Sequence, residues 1–284
     1  MSSETKGLYK KHGRDAMHRR EFLEKLAALA GGTAAVVLLP ANESEAAPAQ
    51  VVARDDPRLE TEYIKYATES GEMRAYKARP KGAGKLAAVI VIHENRGLNA
   101  HIEDITRRVA LEGLMAVAPD ALTAFGGTPE NPDEARPLFQ KLDRETNTTT
   151  FVAAVAYLKT HPQATGKVGC MGFCWGGGVT NQVAVQSPDL NAAVPFYGMQ
   201  PAPEDVSKIK AAMLIHYAGD DESINAGIPA FEESLKKAGV EHTIHVYEGA
   251  DHAFMNDTGT RYNKEAAELA WRRTIDFLKE KLKS

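Results

Sequence analysis

The chain reads as one α/β domain built on a mostly parallel sheet, and three observations predict it. Leu86 to His93 is an unbroken apolar run, as expected of a strand covered on both faces. Apolar strand-like runs then alternate with helical patterns to the C-terminus, which implies βαβ units joined by right-handed crossovers. Finally, Lys167 to Gln186 has the composition of a strand, a glycine-framed turn and a helix.

Element by element, Tyr63–Ala67 and Met73–Ala78 flank the turn Glu69-Ser70-Gly71-Glu72 and predict an antiparallel hairpin. After the Leu86–His93 strand, Ile102, Val109 and Leu111 mark a helix, followed by strand Met115–Ala118 and helix Phe151–Leu158. Lys167–Met171 is a short buried strand and Gly177–Gln186 the helix after it. Strands Ala192–Phe196, Ala212–Tyr217 and His242–Tyr247 follow, with a helix at Pro229–Lys237 and an amphipathic one at Lys264–Leu282. In such a sheet the active site lies at the carboxyl ends of the strands.

Gly172-Phe173-Cys174-Trp175-Gly176 is a nucleophile elbow with cysteine where serine usually stands. Gly172 and Gly176 lack a Cβ, so strand and helix can approach closely while residue 174 sits in a strained turn. The turn sets the thiol at a helix N-terminus, where backbone N–H groups favour thiolate and can bind an oxyanion. The bland alternative is a glycine-rich turn in which Cys174 merely packs.

An elbow nucleophile needs a base, and the base needs an orienting carboxylate. Both are available in the order nucleophile, acid, histidine. Strand Ala212–Tyr217 runs into Ala218-Gly219-Asp220-Asp221-Glu222, and strand His242–Tyr247 into Glu248-Gly249-Ala250-Asp251-His252. His252 is the candidate base. Asp221 is preferred over Asp220 as the acid, while Asp251 is too close in sequence to fold back onto His252. Strand Leu86–His93 leads into Glu94-Asn95-Arg96-Gly97, where Glu94 is a carboxylate expected to pair with the resting thiol or with His252. The N–H groups of Trp175 and Asn95 are the candidate oxyanion donors. Phe173, Trp175, Tyr197 and Phe254 read as core rather than pocket.

Composition narrows the function classes. The net charge of −4 and the absence of a basic block argue against nucleic acid as a partner. Cys170 and Cys174 are too few for a disulfide framework, and the His and Cys spacing fits no zinc motif, so no metal or cofactor is implied. Residues 1–49 differ from the rest: Arg19-Arg20, an apolar stretch from Leu26 to Leu39, Pro40, and Ala47-Pro48-Ala49 before Gln50. They read as a twin-arginine secretion signal, with residues 50–284 as the single mature domain in the periplasm or outside. Contact with a membrane is then transient, through the signal. The sequence says nothing of oligomeric state.

Gly-Phe-Cys-Trp-Gly-Gly at 172–177, His93-Glu94, Gly219 with Asp221, and His252-Ala253-Phe254 together resemble the dienelactone hydrolase family, the carboxymethylenebutenolidases. The resemblance runs from about Tyr63 to the C-terminus and implies the α/β-hydrolase fold. It also implies a Cys174–His252–Asp221 triad, an acyl-enzyme, a small-molecule ester or lactone substrate, and a thiol-activating role for Glu94. Two carboxylate-binding arginines of the family are unmatched: Pro119-Asp120-Ala121-Leu122-Thr123-Ala124 has none, and Asn256 stands four residues past His252. Dienelactone itself is therefore a doubtful substrate. A non-catalytic periplasmic binding or stress-associated protein on the same fold is the alternative reading.

Overall fold

The computed structural model describes residues 51–283. The expected secretion signal lies outside the described residues. Strands β1 (Leu59–Thr68) and β2 (Gly71–Pro80) form the hairpin, longer at both ends than the turn chemistry alone suggests. There follow β3 (Leu86–Ile92), α1 (Ala100–Leu111), β4 (Met115–Pro119), α2 (Pro132–Phe139), α3 (Arg144–Thr160), β5 (Ala164–Phe173) and α4 (Trp175–Gln186). The chain ends with β6 (Ala192–Phe196), β7 (Ala212–Ala218), the one-turn α5 (Glu222–Asn225), α6 (Ile228–Ala238), β8 (His242–Tyr247) and α7 (Lys264–Lys281).

The eight strands lie in the order β1-β2-β4-β3-β5-β6-β7-β8. Only β1–β2 and β2–β4 pair antiparallel; the other five neighbouring pairs are parallel. Alternation along β3 sends Val89 and Val91 to one face and Ala88, Ile90 and Ile92 to the other. The first face packs against Ile102, Ile105 and Val109 of α1 and Ala270 and Leu278 of α7. The second packs against Phe151, Val155 and Leu158 of α3, Val183 of α4, and Phe231 and Leu235 of α6. Both layers are apolar because parallel strands are covered twice. Cys170 faces the second layer while Cys174 is part-buried against the first, and both are free thiols.

Helix starts follow local chemistry. Asn99 accepts from Ile102 N–H at the head of α1, Asp143 from Thr146 N–H at α3, and Asn263 from Ala266 N–H at α7. Helix α1 also anchors the start of the described chain: Val51 and Val52 N–H donate to the buried Asp104, at 3.1 and 2.8 Å. Helix α2 was not foreseen, since its eight residues contain two prolines, Pro132 and Pro137. It starts at Asn131, whose side chain accepts from Asp133 N–H.

Candidate functional site

The elbow forms because glycine leaves no side chain in its way. A Cβ on Gly172 would lie 2.2 Å from Gly176 O, and one on Gly176 would lie 2.4 Å from His93 O. Between them Cys174 adopts φ 56 and ψ −115, a conformation L-residues rarely hold. Its N–H donates to Phe196 O at 3.0 Å and its carbonyl accepts Gly178 N–H at 3.1 Å, which fixes the thiol at the start of α4.

The acid and the base come from neighbouring strand ends. Asp221 follows β7, is buried, and its Oδ2 accepts from His252 Nδ1 at 2.5 Å. The other oxygen, Oδ1, accepts from Ser223 Oγ at 3.0 Å and Ile224 N–H at 3.4 Å, so both carboxylate oxygens are engaged. Asn225 Nδ2 bonds the carbonyls of Ala218 and Gly219, at 2.7 and 3.2 Å. Gly219 N–H to Tyr247 O and Asp220 N–H to Ala250 O zip the two loops together. Asp220 and Asp251 are exposed. With Nδ1 committed to Asp221, His252 presents Nε2 to a cavity that it shares with Cys174.

Glu94 departs from expectation. Its Oε2 accepts from Asn256 Nδ2 at 2.8 Å, and its buried Oε1 has no hydrogen-bond partner, so it bonds neither the resting thiol nor His252. His93, just before it, is buried, and desolvation lowers its ring below the usual imidazole range. Ala121 N–H donates to its Nε2, so the proton on Nδ1 points to Glu94 O at 2.7 Å. The His93 ring stacks on Trp175 at 5.4 Å, and Phe139 of α2 packs edge-on against both.

The thiol also behaves differently from the elbow argument. Burial first, and then the Glu94 charge, push Cys174 up to about 11, despite the Trp175 N–H and the Arg261 guanidinium, which favour thiolate. A helix N-terminus is outweighed here by desolvation and a neighbouring carboxylate. Cys174 thus rests as a neutral thiol.

The cavity, of about 520 Å³, is polar. Arg96, Arg136 and Arg261 face it alongside Glu94, Asn95 and Asn256. The two family arginine positions hold no arginine, and the arginines that line the cavity come from other segments. Arg136 comes from α2 and Arg261 from the Asn256-Asp257-Thr258-Gly259-Thr260-Arg261 loop, whose polar composition was the available signal. Phe173, Tyr197 and Phe254 are buried in the core, as expected. Among the described residues, no group of three or more His, Cys, Asp or Glu is placed to share a metal ion.

A twisted, mainly parallel sheet with a cysteine elbow after β5, an acid after β7 and a histidine after β8 defines an α/β-hydrolase. The sequence matches the Dienelactone hydrolase family over residues 73–282, and the chain belongs to that family. It is 36% identical over 252 residues to a candidate carboxymethylenebutenolidase of Saccharolobus solfataricus, covering 76% of this chain and 97% of that one. A similarly described Escherichia coli protein is 31% identical over 246 residues, covering 81% and 90%. The crystal structure of a candidate dienelactone hydrolase from Klebsiella pneumoniae superposes with a TM-score of 0.71 at 29% identity, covering 78% and 98%. The chain is thus a dienelactone hydrolase-like enzyme acting on an ester or lactone.

Proposed function

We propose that this hydrolase works through a Cys174–His252–Asp221 triad and a thioester acyl-enzyme. The observation that carries the reading is the 2.5 Å bond from His252 to buried Asp221, with His252 and the elbow thiol on one cavity. Since the thiol rests protonated, its proton must leave as it attacks. His252 Nε2 takes that proton, Asp221 stabilises the imidazolium, and Sγ adds to the substrate carbonyl. The N–H groups of Trp175 and Asn95 receive the oxyanion. The leaving alkoxide recovers the proton from His252, and a water activated by the same imidazole then hydrolyses the thioester.

The arginine-lined cavity supports a substrate that carries an acidic group beside the ester, because planar guanidinium pairs well with carboxylate. The Arg19-Arg20 leader supports export in the folded state.

Three outcomes check these points. Asp221→Asn is expected to lower kcat by roughly three to four orders of magnitude, as loss of an orienting acid does. Asp220→Asn is expected to leave kcat within about twofold, and the reverse ranking would move the acid to Asp220. Replacing Arg261 or Arg136 by Ala is expected to raise KM about tenfold for a carboxylate-bearing activated ester and little for its neutral analogue. Equal effects on both esters would remove the anionic-substrate reading. For export, Arg19→Lys with Arg20→Lys should retain the protein in the cytoplasm, whereas unchanged export would rule out the twin-arginine route.

A further inference from the structure

Tyr197 is a residue of this centre with an unexplained conformation. It directly follows β6 and holds φ 37, in the left-handed region that bulky side chains seldom enter. Its surroundings keep it there. Tyr197 N–H donates to His216 O at 2.7 Å, and the preceding carbonyl, Phe196 O, is the acceptor of Cys174 N–H. The ring lies 5.0 Å from that of His252 and 5.4 Å from that of Phe254.

The side chain is only 1% exposed, yet its hydroxyl has no hydrogen-bond partner among the described residues. Buried hydroxyls are nearly always paired, so an unpaired one on a ring that packs against His252 calls for a reason. Burial, then the Glu94 charge, keep the phenol protonated, although the Met255 N–H approaches its oxygen. The hydroxyl is therefore a standing donor. It is not spent on Glu94, whose Oε1 is equally buried and unpaired.

We propose that the Tyr197 hydroxyl is a further catalytic residue, donating a hydrogen bond to Cys174 Sγ as the thiol proton passes to His252. The inference rests on Cys174 being the nucleophile. Tyr197 keeps its own proton throughout; the proton that moves is the one from Sγ to Nε2. When sulfur bonds the acyl carbon its negative charge passes to the oxyanion, and the phenol is released. The need is plain from the charges around Sγ. Glu94 and Asp221 oppose the thiolate, while the Trp175 N–H and Arg261 favour it. A strong donor that is idle in the resting state lowers the barrier without creating an easily oxidised standing thiolate.

The test is Tyr197→Phe in the full chain, which keeps the ring packing and removes only the hydroxyl. Alkylation of Cys174 by iodoacetamide is followed against pH, with the adduct assigned by peptide mass spectrometry, beside kcat/KM on p-nitrophenyl acetate. The alkylation midpoint is expected to rise by about one pH unit and kcat/KM to fall roughly ten- to a hundredfold. Thermal stability should be nearly kept, because the hydroxyl donates to no residue and loses only the approach of the Met255 N–H. An alkylation profile that coincides with the parent's overturns the proposal, whatever happens to turnover. Failure of the nucleophile assignment is distinguishable: the parent itself would then carry no acyl group on Cys174.

Discussion

Everything at this centre depends on one helix turn touching two strand ends. The first turn of α4 is packed so closely on the ends of β5 and β3 that a methyl at Gly172 would overlap Gly176 O and one at Gly176 would overlap His93 O. That contact holds Cys174 in its rare conformation at the head of α4, with the Trp175 N–H beside its sulfur. The parallel sheet then does the rest of the assembly. Because β7 and β8 neighbour each other and end on the same side, their loops arrive together, and two backbone hydrogen bonds set Asp221 within reach of His252. The geometry is inherited from strand order.

Electrostatics at the site oppose a thiolate at Cys174 at rest. Glu94 is buried beside the thiol, bonded to a neutral amide at Asn256 rather than to a cation, and its charge adds to burial in suppressing thiolate. A neutral thiol next to an oriented imidazole suits general-base attack, in which charge appears on sulfur only when a substrate is present. Such a thiol is also less exposed to oxidation, since the thiolate is the reactive form. The donors arranged around Sγ are then best understood as serving a charge that exists briefly.

Much of this could be read from residues alone, and the reasons are local. The run Leu86–His93 and the strands after it are apolar because both faces are covered, and that pattern survives without any knowledge of the partners. The elbow is visible because glycine is required at two fixed offsets. Of the two aspartates that follow Gly219, the side chain of Asp221 is buried on His252 and that of Asp220 is in solvent. What escaped was long-range. Arg136 and Arg261 reach the cavity from segments 125 residues apart, with no periodicity to tie them together. Helix α2 was hidden by its prolines. The pairing of Glu94 with Asn256, and the unpaired hydroxyl of Tyr197, depend on how loops settle over the strand ends, which composition does not encode.

The central claim is that Cys174, served by His252 and Asp221, forms a covalent acyl intermediate. The most direct measurement is a burst experiment with p-nitrophenyl acetate, acid-quenched within the burst and analysed by intact and peptide mass spectrometry. The account predicts one acetyl group per chain, located on Cys174 and absent from Cys174→Ala. A folded protein with reduced thiols that turns the ester over with no adduct at Cys174, or equally well as Cys174→Ala, would contradict it.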